Sequence, residues 1–305
     1  MTSGRTTSQS KLSWKLLTKK RTSSTKGIPP GKEHLAWVTN TVTLICGERD
    51  AVLVDTFLSE QQSKELVDWV VESGKNLKTI YITHGHGDHF FGLQQLLDRF
   101  PNAKAIATAS VVAAIREQIK PEFVRTFWES RFPGQIPQRL IAPEILEGDT
   151  FMFEGEELKV LEFGHTDTQH STGLYVPSIG LVVAGDAVYN NTHLYLAEYN
   201  EVAGRDWLQA LDKIESLNPT VVVAGHCVLN PDSSPRHIDE TRRYLIDFIA
   251  TCAHSSTAKE LYEIMLARYP DRVNPGSLWA AANAAKPARQ PHSRPTLERN
   301  PRSTT

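Results

Sequence analysis

Residues 84–89 read His-Gly-His-Gly-Asp-His and follow directly on the apolar run Ile80-Tyr81-Ile82-Thr83. Four cation-binding groups stand in six positions, with two glycines that let the backbone turn sharply. A chain with such a loop at a strand end must fold so that groups from elsewhere complete the ligand set. Imidazole together with carboxylate suits Zn²⁺ or a similar transition metal. The same pattern recurs in weaker form, as an apolar run that ends in a small residue or directly in a potential ligand. Run 51–54 leads to Asp55, 158–163 to Gly164-His165, 181–184 to Gly185-Asp186, and 221–224 to Gly225-His226. A strand alternates its side chains, so neighbouring groups in its interior cannot aim at one point, whereas ligands at strand ends can converge along one sheet edge.

Between these runs the spacing predicts helices. Leu66, Val67, Trp69 and Val70 give 60–73 an apolar side, with Gly74 as its stop. Further helices are predicted over 90–100, 109–119, 204–217, 237–252 and 257–269, and strands over 35–38, 42–46, 105–107, 151–153 and 173–176. Leu12, Trp14, Leu16 and Leu17 alternate with Ser13 and Lys15 as a possible first strand. The aromatic, proline-rich stretch 120–143 reads as a turn-rich insertion, either a lid over a site or a packed surface loop. The expected organisation is a tail over 1–10, one domain over 11–286 closed by C-terminal helices over 237–286, and a Pro/Arg/Ser-rich tail over 287–305. The order of strands and helices suggests two similar halves.

Composition adds bounds. The 305 residues are 40% hydrophobic and 22% charged, with a net charge of −2, as in ordinary globular proteins. Residues 1–32 carry eight Lys/Arg and no Asp/Glu, which reads as a solvated tail. Three cysteines without a C-x-x-C argue against a disulfide scaffold and for a reducing compartment. No apolar run reaches 18 residues, so no membrane span is expected. A cytoplasmic location follows, with a Ser/Arg-rich mitochondrial leader as the alternative. Oligomeric state is left open.

The strand-end groups are enough for two metals. His84, His86 and His165 form a three-nitrogen site, Asp88, His89 and His226 a second, and Asp186 can bridge them. Each metal then lacks one ligand, which a shared water or hydroxide would supply. A sulfur-free, open set is the mark of a catalytic rather than a structural site. Asp88 and Asp186 leave two Zn²⁺ with a net +2 to stabilise hydroxide at neutral pH.

The ordered set His84-x-His86-x-Asp88-His89, Gly164-His165-Thr166, Gly185-Asp186 and Gly225-His226 resembles the metallo-β-lactamase-fold hydrolases over about residues 35–250. The resemblance implies a four-layer αββα sandwich of the α/β (α+β) class, with two metals at one edge between the sheets. It makes Asp55 an orienting acid behind a ligand. Asp186 stands in the fourth motif where cysteine-type β-lactamases carry Cys at the second metal, and Cys227 is expected to be a buried thiol. Flavodiiron proteins carry Glu where His86 stands. The branch implied is a dinuclear zinc hydrolase of small molecules, with Asp88 and Asp186 as catalytic groups. It would open a lactam or lactone. The alternatives are a thioesterase similar to glyoxalase II, an iron-dependent oxidoreductase, or Fe or Mn in place of zinc. A small-molecule substrate is the expected partner, rather than a membrane or nucleic acid. Tyr189, His193, Tyr195, Trp128 and His170 are candidates for the substrate pocket. His34, His237, His254 and His292 are expected at the surface.

Overall fold

Strand alternation sorts the buried side chains into three cores. In β3 (Asp50–Val54), Ala51 and Leu53 pack with helices on one side, while Val52 and Val54 face a second sheet. In β10 (Leu181–Val183), Leu181 and Val183 meet them from that sheet, and Val182 faces helices on the far side. The result is an αββα sandwich with an inter-sheet core flanked by two sheet–helix cores. This computed structural model describes residues 11–22 and 37–287. The expectations for 1–10, His34, Leu35, His292 and the tail from 288 lie outside them.

The first sheet runs β1 (Ser13–Thr22), β2 (Trp37–Cys46), β3, β4 (Asn76–Tyr81), β5 (Lys104–Ala107) and β6 (Glu144–Ile145). β1, β2 and β3 pair antiparallel, and β3 to β6 parallel. Helices α1 (Glu60–Glu72), α3 (Leu93–Arg99) and α4 (Ala109–Gln118) cover its outer face through Leu66, Val70, Leu96 and Val111. Ser59 and Thr108 start α1 and α4 by accepting the backbone N–H of Gln62 and Val111. The second sheet has the order β12 (Val221–Val223), β10, β9 (Ser171–Val176), β8 (Glu156–Gly164) and β7 (Thr150–Phe153). Its outer face is covered by α7 (Glu201–Ser216), α8 (Arg236–His254), α9 (Ala258–Arg268) and α10 (Pro275–Ala285). Two short parallel strands, β11 (Tyr189–Asn190) and β13 (His226–Cys227), tie the ends of the second sheet together. No helix among the described residues is long and apolar enough to cross a membrane.

Four local readings change. Residues 37–46 form one strand rather than two. The helix expected over 90–100 is broken into α2 (Gly87–Phe90) and α3, with Gly92 between them. The stretch 121–131 is helical instead of irregular: α5 (Pro121–Phe123), a π-type turn (Val124–Trp128) and α6 (Glu129–Arg131). Its aromatics hold it, with Phe123 stacked on Phe127 at 5.1 Å and Trp128 edge-on to Phe91 at 5.1 Å. Residues 13–22 form the paired first strand that the alternation at Leu12–Leu17 suggested, and the reading that changes is that of their basic residues, which are part of the sheet and not of a solvated tail.

One core residue bears directly on the site. Trp207 is fully buried, and its Nε1 donates to the carbonyl of Ala187 at 2.8 Å, bracing the turn that carries Asp186. Trp207→Phe leaves that carbonyl unpaired, and urea denaturation is expected to show a loss of about 1–3 kcal/mol.

Candidate metal centre

Five strand ends deliver their side chains to one edge between the sheets. Three need unusual backbone. Asp55 has φ 63°, Gly164 φ 74° and Gly185 φ 51°, left-handed conformations that turn the chain at the ends of β3, β8 and β10. Gly225 answers a different demand, since a Cβ there would overlap Oδ1 of Asp186.

Four rings have one nitrogen fixed from behind. His89 Nδ1 lies 2.9 Å from Asp55 Oδ2, and Asp55 also accepts from the N–H of Thr83 at 2.8 Å and its hydroxyl at 2.7 Å. His84 Nδ1 meets Thr83 Oγ1 at 3.0 Å, His226 Nδ1 meets the carbonyl of Thr39, and His86 Nε2 meets Glu198 Oε1 at 3.0 Å. Fixing the outer nitrogen sets the tautomer and aims the inner one.

The inner atoms gather in three groups: His84, His86 and Asp167; His84, His89 and Asp186; and Asp88, His89 and His226. Within each group the ligand atoms lie within 4.8 Å of one another. Asp186 shares His89 with the third group and His84 with the first, which places it between them. His165 is buried beside Asp167 in sequence, but stands outside all three groups. Among the described residues, ten buried side-chain N or O atoms have no hydrogen-bond partner. Five belong here: Nε2 of His84, His89 and His165, Oδ2 of Asp167 and Oδ1 of Asp186. Buried polar atoms are rarely left unpaired, so a cluster of them made of nitrogen and carboxylate donors fits divalent cations.

Charge supports this. Burial alone would raise the Asp88 carboxyl, but Arg21, followed by His89 and His226, holds it well below the usual carboxylate range. Arg21 Nη2 and Asn40 Nδ2 both donate to Asp88 Oδ2, at 2.6 and 2.7 Å. Burial would lower the His89 imidazole, but the surrounding Asp186, Asp88 and Asp55 push it up to about 10. Of these, Asp186 and Asp88 stand in the groups that could hold a metal, whereas Asp55 holds the ring from behind. Burial and then Asp186 keep the Tyr189 hydroxyl protonated, and it donates to Asp186 Oδ2 at 2.9 Å.

The other candidates divide. Tyr195 and Trp128 line the cleft at the site. Tyr189 is buried behind Asp186 and does not line it. His193 is fully buried against Tyr244, at 2.8 Å from its hydroxyl, and His170 is exposed; neither lines the cleft. His237 is buried between Asp232 and Glu240 rather than at the surface, and Cys227 is a buried thiol pushed up to about 12, chiefly by burial. Arg21, Asn40, Asp167 and Glu198 were not predicted. The two-residue step from His165 was the available signal for Asp167.

A family model described as the metallo-beta-lactamase superfamily matches residues 35–226. The hydroxyacylglutathione hydrolase of Prochlorococcus marinus (strain MIT 9301) is 24% identical over 191 residues, 61% of this chain and 64% of that protein. The chain therefore spans 64% of the length of that relative. Hydroxyacylglutathione hydrolase 1 of Vibrio vulnificus (strain YJ016) is 23% identical, over 70% of this chain and 72% of that one. In fold, the chain is similar to a metallo-beta-lactamase family protein from Thermus thermophilus, with a TM-score of 0.62, 23% identity, and coverage of 89% and 91%.

Two outcomes are expected. Asp55→Asn weakens the hold on His89 and should lower metal affinity about 10–100-fold in a chelator competition. His193 is pushed down to about 3 from 6.5, by burial and then by Arg272. Between those values the unfolded chain binds a proton that the folded one does not, so stability falls as pH drops through 6.5 toward 3. Unfolding free energies from urea titrations across this range should fall less steeply in His193→Gln, by up to about 1.4 kcal/mol per pH unit.

Proposed function

The chain belongs to the metallo-beta-lactamase superfamily, and on that premise we propose that it is a dinuclear zinc hydrolase opening the ring of a small aromatic lactam or lactone. The observation that carries this reading is the cleft above the metal centre. Its volume is about 270 Å³, and it is lined by His86, Asp88, Asp186 and His226 of the metal groups together with the aromatic Phe123, Phe127 and Trp128. That is just below the roughly 300–1,000 Å³ of sites for drug-sized ligands. A flat ring against an aromatic wall fits such a space better than a long conjugate.

When bound, the metals would supply Lewis acidity and lower the pKa of a water to about 7. The chain's own residues do the rest. Phe123, Phe127 and Trp128 offer the ring apolar surface and exclude water from that side. Tyr195 lies edge-on to His86 at 5.6 Å, and burial raises its hydroxyl so that it stays protonated. From there it can donate to the oxygen that gains charge as the carbonyl is attacked. Asp88, held by Arg21 and Asn40, and Asp186, held by Tyr189, keep their carboxylates fixed while the ring opens.

A second reading, thioester hydrolysis, is favoured by the names of the curated relatives, which are hydroxyacylglutathione hydrolases. Turnover separates the two. Zinc-loaded protein is expected to show a kcat/KM on aryl lactones or a chromogenic lactam at least about tenfold above that on acyl-glutathione thioesters, and Phe127→Ala should raise KM for the aryl substrates. The reverse preference would overturn the ring-opening reading and establish the second.

A further inference from the structure

We propose that Asp167 is a protein ligand of the first metal, so that this site carries a carboxylate in addition to imidazoles. The inference rests on the metal-dependent reading above and concerns a residue that the histidine and aspartate motifs do not include.

The side chain of Asp167 is fully buried. Its two oxygens are treated differently. Oδ1 accepts from Thr166 Oγ1 at 2.9 Å and from Ser171 Oγ at 3.3 Å. Oδ2 accepts no hydrogen bond and points at two imidazoles. It lies 2.9 Å from His86 Nδ1 and 3.5 Å from His84 Nε2, and His84 Nε2 is itself unpartnered. Donor atoms about 2.0–2.1 Å from one tetrahedral cation stand roughly 3.3 Å apart, and the two distances bracket that value. Asp186 is built the same way, with Oδ2 held by Tyr189 and Oδ1 left free beside His89.

A proton is the competing occupant. A proton on His86 would compensate the charge of Asp167, but it leaves His84 Nε2 buried and without a partner. A cation satisfies all three atoms together. The His86 ring is also held by Glu198 at its Nε2, which leaves Nδ1 free to face the same point as Asp167.

Two consequences follow for the site. With Asp88 and Asp186, Asp167 brings the carboxylates facing the metals to three, which leaves two divalent cations with a net charge of +1 in place of +2. An oxygen donor also makes the first site harder than three imidazoles, moving its preference toward Mn²⁺ or Fe²⁺ relative to Zn²⁺.

The test compares the wild type, Asp167→Asn and Asp167→Glu. Each is stripped, titrated with Zn²⁺ against a chromophoric chelator, and separately loaded with one equivalent of Co²⁺ for its visible spectrum. Circular dichroism and thermal melts report folding. The expected result is two Zn²⁺ per wild-type chain. In Asp167→Asn the affinity of one site falls at least tenfold and the Co²⁺ bands shift. Asp167→Glu, which keeps the charge and donor, recovers part of both. A folded Asp167→Asn with unchanged affinities and spectrum overturns this inference alone. If Asp167→Asn does not fold, the wild-type protein decides: X-ray absorption at one equivalent of metal must show a carboxylate oxygen beside the imidazoles, and a shell of imidazoles and water alone overturns the inference. A wild type that binds no metal overturns both this inference and the function it rests on.

Discussion

The structure turns on one electrostatic constraint. Imidazole nitrogens and carboxylate oxygens are buried together at a single sheet edge, with five of their atoms unpartnered. Such a cluster is unfavourable unless positive charge fills it. Outer partners on the other ring nitrogens (Asp55, Thr83, Glu198 and the carbonyl of Thr39) prevent the rings from turning away to satisfy themselves elsewhere. Protons and metal therefore compete for the same atoms, and loading the site and stabilising the fold become one equilibrium.

The surrounding architecture serves that edge. The antiparallel and parallel pairings of the two sheets bring the C-terminal ends of β3, β4, β8, β10 and β12 to one side, and the three cores keep those ends at fixed separations. Unusual backbone is kept local: a left-handed Asp55, Gly164 and Gly185, and a bare Gly225 beside Asp186. Trp207 shows how far the support reaches, since it braces the turn after Asp186 from within the helical layer.

Much of this was legible because each strand end writes its signal locally, as an apolar run followed by glycine and a ligand. What escaped was written across distance or in residue types with a blander meaning. Arg21 lies in a basic run that reads as solvated tail until β1 pairs with β2 and brings it to Asp88. Asp167 sits in a polar loop where carboxylates are ordinary, and only the fold shows that its oxygen is buried. Glu198 reaches His86 across 112 residues. The helix over 121–131 was masked by Pro121 and Pro133, although Phe123 and Phe127 stand one helical turn apart. Tyr189 and Tyr195 were grouped as pocket residues, yet their short segment buries one behind Asp186 and turns the other toward the cleft.

β1 is an edge strand, and edge strands are where register is least constrained by neighbours. Here it is paired over ten residues, with Trp14 and Leu16 facing the inter-sheet core and Arg21 reaching Asp88 from the opposite face. A slip of one residue would turn every side chain over. It would expose the apolar set and remove the guanidinium from the metal centre in the same motion. The centre thus works as a register gauge for the outermost strand, because correct pairing at the sheet's margin is what completes the charge balance at its heart.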